Sequence, residues 1–174
     1  MASGILITAI SSGSGKTAAA CALMAAYQAQ NKKVSSCKCG PDYIDPMFHK
    51  EVLGVDSKNL DLFFSSEDEL RKEYAKHAAD AELVITEGVM GYYDGMRLDS
   101  VTASSYDVAR TLDIPAVLIL PCKGAALSLC AVVSGIVSFQ KDSNIQGIIL
   151  NRVSKNVVSQ VEENAGRSFE IRRV

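Results

Sequence analysis

Neither sign of charge dominates this chain, no apolar run is long, and no cysteines are paired in a recognisable motif; each absence removes a class of function. Its 18 lysines and arginines stand against 20 acidic residues, a formal net charge of −2. Such a balance supplies no field to hold a nucleic-acid backbone or an anionic membrane surface, so neither is expected as a partner. No apolar segment approaches the roughly 20 residues needed to cross a bilayer, and the N-terminus lacks a basic stretch followed by an apolar run and a small-residue cleavage site. A cytoplasmic protein is expected. The five cysteines, Cys21, Cys37, Cys39, Cys122 and Cys130, form no C-x-x-C pair of zinc or redox spacing. Cys37 and Cys39 are read as two strand residues on one face, reduced and structural.

What is present is a globular composition, 48% apolar and 22% charged, over 174 residues, enough for one core but not two. A single domain over 1–174 is expected, with no internal repeat or low-complexity linker. Residues 4–10, GILITAI, are apolar without alternation, the mark of a strand buried on both faces. Residues 16–30 are alanine-rich and unbroken, which predicts a helix of about four turns. Strands are expected at 34–38, 83–86, 116–120 and 147–150, and helices at 67–79, near 104–112 and at 125–139. Ser65 and Ser66, followed by Glu67 to Glu69, supply the cap and acidic first turn of the helix at 67. This alternation predicts an α/β three-layer P-loop fold with a mostly parallel sheet and helices on both faces. Residues 154–174 could open another helix but lead to no further strand, so a C-terminal truncation is expected, although a short natural C-terminus fits the letters equally.

Ser12-Gly13-Ser14-Gly15-Lys16-Thr17 falls between the first strand and the first helix, the context of a phosphate-binding loop. Backbone N–H groups of such a turn and of the helix N-terminus point at phosphate oxygens. Lys16 would reach the β- and γ-phosphates of ATP, and Thr17 would place its hydroxyl on Mg²⁺. The match to G-x-x-x-x-G-K-[ST] departs at its first position, which holds Ile10.

Two acidic segments follow the second and third of these strands. One is Lys38-Cys39-Gly40-Pro41-Asp42-Tyr43-Ile44-Asp45-Pro46-Met47-Phe48-His49, read as a loop opened by Gly-Pro and closed by Asp-Pro; the other is Glu87-Gly88-Val89-Met90-Gly91-Tyr92-Tyr93-Asp94-Gly95. Ligands of open α/β sheets sit at the carboxyl ends of the strands, where all three segments converge. Carboxylates gathered near a triphosphate would repel it unless Mg²⁺ lay between them.

With the phosphate loop, these motifs resemble the ATP-binding synthetase domain of cobyrinic acid a,c-diamide synthases, a dethiobiotin synthetase-like domain, over roughly residues 4–153. The resemblance implies an ATP-dependent ligase of cobalamin biosynthesis that amidates the a and c acetate side chains of cobyrinate through acyl phosphates. It places Gly13, Gly15, Lys16 and Thr17 on the triphosphate and Lys38 near the γ-phosphate. Glu87 and one of Asp42 or Asp45 join Thr17 around Mg²⁺, Asp94 faces the substrate end, and Asn151 matches the position that reads the adenine edge. The partners it implies are cobyrinate or a related tetrapyrrole and ammonia from a glutaminase domain, with a homodimer left open.

Several readings stay open beside it. His49 is either a loop histidine packed beside Pro46 and Phe48 or a substrate contact; Tyr92 and Tyr93 either line the macrocycle site or pack their loop; Lys123 either positions phosphate or is merely exposed. Relatives usually carry Asp where Pro121 stands. No cysteine lies in a G-x-C-x-G turn, and only His49 and His77 are available as bases, so this chain is not expected to hydrolyse glutamine. A nickel-sirohydrochlorin a,c-diamide synthase would share the motifs. A partition-type ATPase switch would carry a lysine at the position of Ser11, and a nucleotide-binding fragment without turnover is the remaining alternative.

Overall fold

The computed structural model describes residues 3–153; the expectations for 154–174 lie outside them. Six strands, β1 (Ser3–Ala9), β2 (Val34–Cys39), β3 (Ser57–Leu60), β4 (Leu83–Glu87), β5 (Ala116–Pro121) and β6 (Ile145–Asn151), form one sheet in the order β3-β2-β4-β1-β5-β6. Every pairing is parallel. Five helices connect them: α1 (Lys16–Ala29), α2 (Ile44–Leu53), α3 (Glu67–His77), α4 (Ser105–Leu112) and α5 (Ser128–Ser138).

Right-handed crossovers decide the layers. The chain moves one way along the sheet from β1 to β2 and β3, and the opposite way from β3 through β4, β5 and β6, so α1 and α2 cover one face while α3, α4 and α5 cover the other. The cores agree: Ile7, Ala9 and Ile85 pack with Ala20 and Met24 of α1, and on the other face Leu6, Val84, Cys37 and Cys39 pack with Leu70 of α3 and Val108 of α4. Leu120 packs with Leu129 and Val133 of α5. Cys37 and Cys39 do share one buried face as free thiols. Because the connections leaving β1 and β4 diverge to opposite faces, a crevice opens at the carboxyl ends of these adjacent strands.

Predicted and observed elements agree closely for the apolar strands and for α1, α3 and α4. The N-cap of α3 forms a full capping box between Ser66 and Glu69. Three expectations need correction. The segment read as a loop closed by Asp45-Pro46 is the start of α2, because Pro46 lies in the first turn, where a missing N–H costs no helical bond. The polar edge strand β3, Ser-Lys-Asn-Leu, carries no periodic signal and was not expected. Helix α5 begins at Ser128 rather than at 125, after a turn in which Gly124 adopts φ 73.

Candidate nucleotide and metal site

The phosphate loop, residues 10–15, joins the buried end of β1 to α1. Gly15 is the N-cap of α1, with φ 102 and no side chain accepting from the first turn, so those N–H groups have no acceptor from a capping side chain. The left-handed backbone at Gly15 favours glycine, and a Cβ there would stand 2.5 Å from Asn151 Nδ2 and push that side chain aside. Asn151, at the end of β6, donates from Nδ2 to the Ser14 carbonyl at 2.8 Å and clamps the loop from the side. Ser14 Oγ closes the turn onto the Ser11 carbonyl at 2.9 Å. Ser12 and Gly13 form its exposed tip.

Lys16 is folded inward. Its Nζ donates to the carbonyls of Ser11 at 3.0 Å and Met90 at 2.6 Å, tying the phosphate loop to the segment after β4. Burial lowers its pKa and the neighbouring Lys38 lowers it further, while Glu87 and Asp94 oppose this. Two carbonyl dipoles compensate an ammonium less well than a phosphate would. The segment after β4 can approach this closely because Gly91 has no side chain: a Cβ there would meet the Ile10 carbonyl oxygen at 2.7 Å.

The carboxylates gather on the sheet face covered by α1 and α2. Lys38 of β2 and Glu87 of β4 are register partners on adjacent strands, so both side chains emerge side by side. Lys38 Nζ lies 2.7 Å from Asp45 Oδ2, 3.0 Å from Glu87 Oε1 and 3.8 Å from Asp42 Oδ2. Thr17 Oγ1, from the first turn of α1, donates to the same Glu87 Oε1 at 2.5 Å. Asp42 also accepts the Ile44 N–H at 2.9 Å, so it supports the start of α2 while facing Lys38. The structure therefore brings Thr17, Lys38, Asp42, Asp45 and Glu87 together, with Lys16 alongside.

Electrostatics follow from burial and pairing. Burial pushes the Glu87 carboxyl up, and Lys38 and Thr17 only partly offset it. For Asp45, burial is outweighed by Lys38 and its carboxyl is held below the usual range. Burial disfavours the Lys38 ammonium, yet Glu87 and Asp45 prevail and raise its pKa. One ammonium thus sits among three carboxylates, where a cation is needed for the carboxylates to coexist.

These donors suit Mg²⁺, a hard ion that takes carboxylate and hydroxyl oxygens and usually shares its shell with phosphate and water. Among the described residues no three His, Cys, Asp or Glu side chains form a preformed cage. An ion here would be held jointly by Thr17, Glu87, an aspartate and a phosphate.

Asp94 is exposed at the mouth of the crevice, its Oδ2 accepting the Gly91 N–H at 2.8 Å. Tyr92 and Tyr93 pack their loop. The Tyr92 hydroxyl donates to the Ser143 carbonyl and that of Tyr93 to Ile136 at 2.9 Å, and both rings join Tyr106 in an aromatic cluster that Phe139 extends. Lys123 is exposed. His49 is not a loop residue: it lies within α2, fully buried, with Nδ1 3.0 Å from Ser36 Oγ. Sequence reasoning missed Ser36, Ser57 and the Met90 carbonyl. The spacing of Asp45 and His49 (i, i+4) would have pointed to one inward helix face had α2 been recognised.

A glycine-rich turn with a buried lysine, opening a helix at the switch point of a parallel sheet, defines a P-loop nucleotide-binding protein. The profile of the CobQ/CobB/MinD/ParA nucleotide binding domain (CbiA) matches residues 5–170, and the chain belongs to that family. Within it, the chain is 38% identical over 167 residues to the cobyrinate a,c-diamide synthase of a Synechococcus species, covering 96% of this chain and 37% of that protein. It is 42% identical over 164 residues to the same-named protein of Gloeobacter violaceus, covering 94% and 36%. The chain therefore spans little more than a third of the length of the curated relatives it matches. The resemblance carried by its three motifs is borne out. Among solved structures, the chloroplast FtsY of Physcomitrella patens superposes with TM-score 0.69 at 12% identity over 98% of this chain and 57% of that one. Cobyrinic acid a,c-diamide synthase from Mycobacterium smegmatis, with bound ADP and magnesium, superposes with TM-score 0.60 at 16% identity over 98% and 84%. At such identities the likeness shows the P-loop fold alone. No helix among the described residues is long and apolar enough to cross a membrane.

Proposed function

We propose that this chain is the ATP-dependent synthetase part of a cobyrinate a,c-diamide synthase, activating acetate side chains of the macrocycle for amidation. The observation that carries the reading is the Thr17–Glu87–Lys38–Asp45 constellation beside the phosphate loop. The names of the relatives support the substrate. A side-chain carboxylate attacks the γ-phosphorus of ATP and ADP departs, giving an acyl phosphate. Ammonia then adds to the acyl carbon, loses a proton and expels phosphate, leaving the amide. The protein positions and compensates charge rather than reacting covalently. Lys16 leaves its two carbonyls for the phosphates, and Lys38, already at the carboxylate cluster, turns to the transferred phosphoryl group. When bound, Mg²⁺ would neutralise phosphate charge, held by Thr17, Glu87 and Asp42 or Asp45. Gly13, Ser12, Ser14 and Gly15 would supply the phosphate cradle, Asn151 the adenine contact once it releases Ser14, and Asp94 the substrate-side contact.

Helix α2 supports an apolar macrocycle. Its inward face carries Asp45, His49 and Leu53, whereas Ile44, Met47, Phe48 and Val52 recur on an outward face and are exposed, with Tyr43 beside them. Carboxylate oxygen labelled with ¹⁸O tests the chemistry. The label should appear in inorganic phosphate when cobyrinate is amidated with ammonium in the full-length protein, and unlabelled phosphate would overturn the acyl-phosphate route. Running nickel-sirohydrochlorin in parallel reads the macrocycle.

A further inference from the structure

Two buried polar atoms beside the proposed metal site have no hydrogen-bond partner: Glu87 Oε2 and His49 Nε2. They face each other at 3.6 Å, and both side chains are almost completely buried. On the other side of the ring, Nδ1 lies 3.0 Å from Ser36 Oγ and 3.3 Å from Ser57 Oγ. We propose that His49 is a positioning residue for Glu87: fixed by the Ser36 hydroxyl in the tautomer that carries its proton on Nε2, it holds Glu87 Oε2 and so keeps Oε1 aimed at the metal position.

Chemistry assigns the tautomer. A hydroxyl can donate to a ring nitrogen, but a carboxylate oxygen can only accept. With the proton on Nε2, the Nδ1 lone pair accepts from Ser36 and the N–H points at Glu87. With the proton on Nδ1, a lone pair would face a buried carboxylate and both orphan atoms would stay unsatisfied, which costs several times what a made hydrogen bond contributes. The separation is about half an ångström beyond a normal hydrogen bond, because Lys38 and Thr17 both hold Glu87 by Oε1. Once Lys38 turns to a phosphoryl group, a small rotation of the carboxylate closes the gap. The strand residue Ser36, two positions before Lys38, thereby acts on the site through a fully buried helix residue. Such outer partners of metal ligands typically change metal affinity by about 10–100-fold.

The inference rests on the assignment of Glu87 to the metal, and the experiment separates the two. Mn²⁺ binding is measured by electron paramagnetic resonance on the whole chain with saturating ADP, and ADP binding is measured separately without metal. Glu87→Gln reads the assignment: wild-type Mn²⁺ affinity in that variant, or no ADP-dependent Mn²⁺ binding in the wild type, removes Glu87 from the site and this inference with it. His49→Asn keeps an amide at the Nδ1 position but leaves Oε2 bare, whereas His49→Gln extends an amide nitrogen to where Nε2 stands. His49→Asn should weaken Mn²⁺ about 10-fold and His49→Gln should recover most of that, with metal-free ADP binding unchanged in both. With Glu87 established, undiminished affinity in His49→Asn, or no rescue by Gln, overturns the positioning role; so does a parallel loss of metal-free ADP binding. A readout without mutation stands beside these. The chain has two histidines, so ¹⁵N imidazole shifts in the wild type read the His49 tautomer directly. The Nε2–H form is expected, and the Nδ1–H form sinks the proposal.

Discussion

Replacing Lys38 with methionine preserves the length of the side chain and removes the one ammonium held between Asp45 and Glu87. Removing one partner of a buried ion pair costs about 3–5 kcal/mol, because the other charge is left without compensation. Only Glu87 is that deeply buried, with a side chain 1% exposed against 18% for Asp45 and 34% for Asp42, so the lower end, about 3 kcal/mol near pH 8, is expected. At roughly 2.1 cal/mol/K of unfolding entropy per residue this is a fall in Tm of about 8 °C. The loss should depend on pH, with a definite sign. In the wild type, Lys38 has a pKa raised above its ordinary 10.5, so its contribution is constant between pH 5 and 8 and is lost only as the solution turns strongly alkaline. Without it, the Glu87 carboxyl, already pushed above its ordinary 4.5 by burial, loses the attraction that opposed the shift. A carboxyl raised in the folded state binds its proton there more tightly than in the unfolded chain, so the variant loses stability as pH rises. Urea unfolding at about pH 5.5 and pH 8 should show less than half the destabilisation at the lower value. Mg²⁺ without nucleotide should stabilise the variant more than the wild type, since it can occupy the place the ammonium left. Equal destabilisation at both pH values, or none near pH 8, would refute the account of Lys38 as the cation that lets these carboxylates coexist.

Mg·ATP at about 100 times its Kd should stabilise the wild-type chain by about 2.7 kcal/mol, and Lys16→Ala should lose most of that gain; equal melting curves with and without nucleotide would count against the phosphate loop. Glu87→Gln and Asp42→Asn should each lower amidation by about 100-fold or more in the full-length protein while leaving the fold intact. The Asp42 variant is the more discriminating of the two, because asparagine retains the oxygen that accepts the Ile44 N–H and loses only charge. Full activity in either variant would take that residue out of the metal site.

The parts of the fold that could be read from the letters are those where burial writes a pattern. β1 and β4 are apolar because both of their faces are covered, and the Ser66 cap with its acidic turn announces α3 through chemistry that acts within four residues. β3 is a four-residue polar edge strand, made a strand by pairing with β2 rather than by its own side chains. α2 was hidden for a different reason: most of its apolar residues point outward while Asp45 and His49 share the inward face with Leu53, against the rule by which surface helices are recognised. Since Asp45 and His49 ride on that inner face, the part of the site least legible in sequence is the part mounted on the least legible helix. Thr17, Lys38 and Glu87 converge as expected because each stands at the end of an element whose position was readable. The histidine contact to Glu87 was not, since it joins residues 49 and 87 through packing that no local spacing records.

The central place of β1 bears on how the chain is made. Of the six described strands it is synthesised first, yet its neighbours are β4, beginning at Leu83, and β5, beginning at Ala116. At about 5–20 residues per second, the nascent chain holds this apolar segment unpaired along both edges for about 4–16 s before either neighbour is synthesised. The α1 helix can form meanwhile, but it has no sheet to cover. Pairings this distant fold slowly and expose strand edges to other chains. Nascent chains arrested before β5 should therefore associate with holding chaperones and aggregate on release, whereas those that have cleared β6 should resist proteolysis.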